Sequence, residues 1–157
     1  MKTGLRCSLA AAVLLALGAS GVASAADDLL PMPIDKALAS PAAKERIDPN
    51  VKLLFGFNKL DGATQALSYK TVKRVRRPVS KVANGPTPTD QELCESVFVQ
   101  AVQDLQQQAT QGGANAVVQI HSNWKDDETS SETTYVCAKG AAYIGVALKA
   151  TLVKVGG

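Results

Sequence analysis

The sequence predicts an α+β domain in which one long helix packs on a small antiparallel or mixed β-sheet, braced by one disulfide. Three observations carry this. Apolar residues recur every three or four positions after Thr89, the period of one helix face. Beyond the Gly112-Gly113 pair they alternate in steps of two, the period of a strand. Cys94 in the helical stretch then has a counterpart, Cys137, in a strand-like stretch.

Val51 to Phe57 is the first expected strand, since Val51, Leu53, Phe55 and Phe57 alternate with Lys52, Leu54 and Gly56. Asn58 to Gly62 (N-K-L-D-G) reads as a turn. Tyr69 to Lys81 is ambiguous but suits an edge strand, where Pro78 does little harm. Ala83 to Pro88 reads as a loop.

The helix has a defined start and stop. Thr89 and Glu92 form a capping box, each side chain satisfying the other residue's free backbone N–H. Asp90, Glu92 and Glu95 place negative charge at the positive end of the helix dipole. Cys94, Phe98, Ala101, Val102, Leu105 and Ala109 make the apolar stripe, while Gln106, Gln107 and Gln108 fall mostly on the exposed side. Gly112-Gly113 offers the left-handed stop.

Three more strands are expected. Ala116, Val118 and Ile120 should share one face of the first, leaving Val117, Gln119 and His121 on the other. A loop from Asn123 to Ser131 leads to the second, Glu132 to Lys139. In the third, Ile144, Val146, Leu148, Ala150 and Leu152 alternate with Gly145, Ala147, Lys149 and Thr151. If Cys137 reaches the helix, strand parity points Tyr135 and Lys139 the same way and brings a charge to the edge of the core.

Residues 1–25 read as a cleavable export signal rather than as fold. Lys2 and Arg6 precede an apolar run from Leu9 to Leu17, and Ala23-Ser24-Ala25 has the small-x-small pattern of a cleavage site. The run falls short of the ~20 apolar residues of a membrane span. Cys7 precedes the run, directly after Arg6, where a lipidated cysteine does not lie. The expected location is therefore the periplasm, without lipidation and without a transmembrane segment after cleavage.

Cleavage would leave 132 of the 157 residues, with 15 basic against 14 acidic side chains, so the basic character of the whole chain largely belongs to the signal. Two cysteines remain, and an even count in an oxidising compartment predicts the Cys94–Cys137 bridge. Closing that loop contributes about 4 kcal/mol in the chain-entropy treatment. Residues 26–50 carry Pro31, Pro33, Pro41 and Pro49 and read as a linker or docking arm, with a short helix around Lys44 to Ile47. Residues 51–157 make one domain.

Few side chains suggest chemistry. His121 is the only histidine, and one imidazole without thiolate partners makes a poor transition-metal site. Asp126, Asp127 and Glu128 cluster near Ser130 and Ser131 and would suit a hard cation, although a solvated hairpin loop is the simpler reading. Lys70, Lys73, Arg74, Arg76, Arg77 and Lys81 form the one strong charge asymmetry. In an exported protein that run fits an anionic surface or an acidic envelope protein better than nucleic acid. Trp124 beside the acidic loop is an exposed contact or a half-buried residue. No catalytic residue, triad or close dithiol is expected, and no cofactor.

Cys94 together with G-G-A-N-A-V-V-Q-I (112–120), S-S-E-T-T-Y-V-C (130–137) and G-V-A-L-K (145–149) resembles small exported bacterial proteins labelled "excinuclease ATPase subunit", over roughly Val51 to Lys154. The ATPase label does not suit these residues. A phosphate-cradling loop needs Gly followed by Lys, and no Gly-Lys pair occurs in the chain. More distantly, the G-A-N-A-V strand after a helix resembles the YbjQ and RcsF proteins, which implies a small sheet flanked by helix. The chain departs from RcsF in lacking a lipobox and in having two cysteines beyond the signal rather than four. The resemblance implies a non-enzymatic periplasmic binding or interaction protein in envelope homeostasis or stress sensing. The alternatives are metal binding, which the YbjQ resemblance also suggests, and binding of an anionic lipid or lipopolysaccharide surface through the basic stretch.

Overall fold

Thr89 begins the long helix as its spacing to Glu92 requires. In the computed structural model, which describes residues 27–76 and 86–156, α3 (Asp90–Gln111) starts with both halves of the capping box formed. It ends at Gly112, and the next residue, Gly113, takes φ +74°. Two short helices, α1 (Ile34–Ala39) and α2 (Pro41–Arg46), precede it.

Among the described residues seven strands form one sheet: β1 (Asp28–Pro33), β2 (Lys52–Phe55), β3 (Ala63–Arg76), β4 (Ala116–Trp124), β5 (Asp127–Thr129), β6 (Thr134–Lys139) and β7 (Tyr143–Val155). β7 is the hub. β3 runs antiparallel along one of its edges, from Arg76 opposite Tyr143 to Ala63 opposite Val155. β4 and β6 share the other edge, also antiparallel. β1 extends β6, β5 extends β4 as a hairpin, and β2 joins β4 in parallel, so the sheet is mixed.

The helix covers one face of this sheet. Ile144, Val146, Leu148, Ala150 and Leu152 point inward from β7, as their alternation predicts, and meet Cys94, Phe98, Ala101, Val102, Leu105 and Ala109 in one core. Phe98 stacks on Tyr135 with ring centroids 4.0 Å apart. Cys94 and Cys137 are joined, tying α3 to β6 with Cα atoms 5.9 Å apart. The charge brought inward by the parity of Cys137 is compensated at the rim: Lys139 Nζ lies 2.7 Å from Asp90 Oδ2 in the first turn of α3.

Two expectations are corrected here. Residues 26–50 do not form a linker or docking arm: from Asp28 to Arg46 they are a strand and two helices built into the domain, and Ile34 and Ala37 enter the core. The prolines are tolerated because β1 pairs with β6 alone among the described residues, and because Pro41 sits in the first turn of α2 behind the N-cap Ser40. Gln106 is not exposed but buried. Its amide takes the Asp48 N–H at 2.9 Å and donates to the carbonyls of Asp48 and Val51, which fastens the segment before β2 to the helix.

Candidate functional site

The face of the sheet turned away from α3 is organised by one irregularity in β4. On the β2 side the register jumps from Leu53 opposite Val117 to Phe55 opposite Ile120, and on the β7 side from Thr151 opposite Val118 to Lys149 opposite His121. One extra residue therefore sits in β4, and Gln119 carries it at φ +54°. A bulge of this kind reverses the facing of everything beyond it. Val117 and Ile120 both enter the main core, whereas Ala116 and Val118 pack with Val153 in a small cluster outside it. The expectation that Ala116, Val118 and Ile120 share a face fails for this reason, and His121 lies on the face of Ala116 and Val118 rather than with Val117.

The bulge also holds the His121 ring. Nδ1 lies 2.6 Å from the Gln119 carbonyl oxygen. A carbonyl only accepts, so Nδ1 carries the proton and donates. Nε2, the other ring nitrogen, points toward Glu128. It is buried, makes no hydrogen bond within the described residues, and faces Glu128 Oε2 at 3.4 Å; the side chain is only 6% exposed. The Phe57 ring stands over it at 5.3 Å between centroids. Together with Gln119, Lys149 and Thr151 these groups line a cleft of about 250 Å3.

Glu128 comes from the β4–β5 hairpin, whose turn residues Lys125 and Asp126 both have positive φ, as tight two-residue hairpins require. Lys149 Nζ donates to Glu128 Oε1, and this bond chiefly holds the carboxyl below the usual glutamate range. Asp126 turns instead to Lys70, at 2.7 Å, and is lowered by that contact. Asp127 is exposed. Asp126, Asp127 and Glu128, the hard-cation candidates, are thus not brought to one point.

The basic stretch is divided in the same way. Lys70 reaches Asp126 across the outer face, and Arg74 lies 5.1 Å over the Trp124 ring. Lys73 turns toward the helix, 3.3 Å from Asp104. Arg76 ends β3; Arg77 and Lys81 lie outside the described residues. Trp124 is buried rather than a contact at a loop tip. It donates Nε1–H to Asp27 Oδ2 at 3.2 Å and covers Gly145 so closely that a Cβ there would meet its ring at 2.6 Å.

His121 and Glu128 were separate candidates in the sequence, and the hairpin unites them. The signal that could have done so was weak: they stand seven positions apart, and without the bulge His121 would face the other side of the sheet. Tyr135, the other polar group of interest, lies on the opposite face against Phe98, where burial pushes its phenol well up.

Residues 61–145, just over half of the chain, match the YbjQ family, described as "Putative heavy-metal-binding". The chain belongs to that family, which bears out the YbjQ resemblance; nothing in the match supports an excinuclease. No curated protein and no solved structure matches the chain. The donors fit a soft metal ion poorly. Both thiols of the fold are spent in the disulfide, and among the described residues no three His, Cys, Asp or Glu side chains converge. Outside them the sequence adds only Cys7 of these types.

Proposed function

We propose that this member of the YbjQ family is a non-enzymatic periplasmic binding protein that engages an envelope partner, in homeostasis or stress sensing. One observation carries the compartment and the rigidity together: a disulfide buried between helix and sheet, with Cys94 1% and Cys137 0% exposed. Such bridges persist where the surroundings oxidise, in keeping with the export signal expected at residues 1–25. A binding role is supported by a fold whose irregular and polar features gather on one open face, while its only histidine is clamped by main chain rather than placed beside a nucleophile.

The pairing of Lys70, Lys73 and Arg74 with Asp126, Asp104 and Trp124 favours this reading over an anionic-surface binder. Metal binding is the second reading, supported by the description of the family.

Cell fractionation followed by mass spectrometry tests the proposal. Protein recovered from the periplasm should begin near Ala26 and resist alkylation until reduced, and in-cell crosslinking should yield a reproducible envelope partner. Cytoplasmic recovery with thiols alkylated directly would overturn it.

A further inference from the structure

We infer that the hollow between Trp124 and the β6–β7 turn, which shares no residue with the His121 cleft, docks the free carboxyl-terminal residue of a partner protein. The terminal carboxylate meets Arg74, and the apolar side chain beside it enters a floor of small residues. This rests on the reading of the chain as a binding protein and names the kind of segment it engages.

Strand register gathers exposed hydrophobic side chains here. Leu29 of β1 stands opposite Ala138 of β6, Ala138 opposite Gly145 of β7, and Val72 of β3 opposite Ala147. Residues paired across strands share a face. Leu29, Val72 and Tyr143, two positions before Gly145, therefore face outward with the cluster of Trp124, Ala138 and Ala147. They are three of the five exposed large hydrophobic side chains among the described residues. Leu29 and Tyr143 line two adjoining hollows, of about 240 and 280 Å3, which share Asp27, Trp124 and Lys125. Gathered apolar exposure marks interaction surfaces, and Trp, Tyr and Arg carry much of the energy of such surfaces.

The larger hollow has both a floor and a charge. Ala138, Ala141, Ala142 and Gly145 leave room there that larger side chains would fill. Of its three charged groups, Asp27 and Lys125 pair at 2.9 Å, and Asp27 also accepts the Trp124 Nε1–H. Arg74 is left over, so the lining keeps one positive charge. Its stem passes Gly145, where an added Cβ would meet Cγ at 3.1 Å. Its guanidinium lies over the Trp124 ring and makes no hydrogen bond among the described residues. Stacking holds the planar fork in place and leaves its N–H donors to a carboxylate. One stacked guanidinium suits one carboxylate rather than a charged surface.

The occupant must bring that carboxylate and an apolar group into one small space. In an extended segment successive side chains point to opposite faces, so an acidic residue and its apolar neighbour diverge. A carboxyl-terminal residue carries both groups on one Cα, and free chain ends are a recurring object of recognition. The charge-assisted contact with Arg74 then fixes its orientation.

NMR titration of the processed protein, its disulfide intact, with an acetylated serine-glycine-alanine-leucine peptide tests this. The free acid is compared with its carboxyl-terminal amide and with an amide carrying an internal aspartate. The chain has one tryptophan, so the indole N–H of Trp124 needs no further assignment. Saturable shifts of that signal and of the amides of residues 140–145 are expected with the free acid. Both amides should bind at least about tenfold more weakly, as loss of a charged hydrogen bond entails. Arg74→Gln should weaken binding of the free acid by the same factor, and Ala142→Leu should block it by filling the floor. Lys70→Gln, in the same basic run but outside the hollow, should leave it unchanged. No saturable shift, an amide that matches the free acid, or a Lys70→Gln loss equal to that of Arg74→Gln would each overturn the site. The comparison of acid with amides on the wild type decides the matter even if a variant fails to fold. An envelope partner still crosslinked by Arg74→Gln, with the peptide silent on the wild type, would remove this site and leave the binding role standing.

Discussion

On the inner face of the sheet β7 carries Ile144, Val146, Leu148, Ala150 and Leu152 to the helix without a break in period. On the outer face β4 loses the period at Gln119, and all three non-glycine residues with positive φ among those described, Gln119, Lys125 and Asp126, fall in β4 or its hairpin. The inner face is apolar, closed by α3 and crossed by the disulfide. The outer face is held by directed contacts: His121 to Gln119, Glu128 to Lys149, Lys70 to Asp126, Arg74 over Trp124. The contrast separates two jobs. Burial, which is non-directional, stabilises the fold on one side. Hydrogen bonds and ion pairs place individual atoms on the other, and strain of roughly 1–2 kcal/mol per left-handed residue is tolerated there.

The strongest way to break the contrast is to weaken the inner face. Replacing both cysteines, Cys94→Ala with Cys137→Ala, should cost about 4 kcal/mol. Urea unfolding of the purified protein would measure this. A loss well under 1 kcal/mol would mean that the inner face does not depend on its bridge.

A smaller effect is expected from crowding the outer face. Gly145→Val drives a side chain into the space where a Cβ alone would approach the Trp124 ring at 2.6 Å. Displacing Trp124 from Arg74 and Asp27 should cost about 1–3 kcal/mol and move the fluorescence of the only tryptophan toward longer wavelength. Unchanged emission would show that Trp124 does not cover Gly145 in solution.

The smallest effect concerns the helix start that closes the inner face. The Thr89 backbone N–H, then its hydroxyl, holds Glu92 below the ordinary value of 4.5. A carboxyl depressed in the folded state contributes stability that is fully present above its unfolded pKa and lost as pH falls through the folded value. The wild type should thus lose thermal stability relative to Glu92→Gln as pH drops below about 4.5, the unfolded glutamate range. Thermal midpoints of both proteins from pH 6 to pH 3 would show this, and parallel curves would refute it.

Much of the inner face was legible because it depends on residue spacing. The capping box at Thr89, the helix stripe through Leu105, the alternation of β7 and the inward facing of Cys137 all follow from periods of 3.6 and 2, and α3 and β7 lie where those periods put them. Gln106 escaped because a polar residue at a buried helical position is betrayed only by its partners, here 55 and 58 residues away in sequence. The segment from Asp28 to Arg46 escaped because prolines argue against a central strand but say nothing against an edge.

What the sequence determined by itself was the set of apolar faces and helix ends, and the two cysteines that could meet. Periodicity is local, and burial acts on it whatever lies across the core. The tertiary structure alone decided which way His121 faces and that Glu128 meets it. A bulge at a residue other than glycine leaves no mark in composition, and its position is set by the register of β4 against both β2 and β7. One inserted residue turned a histidine assigned to the wrong side of its strand into the centre of the candidate site.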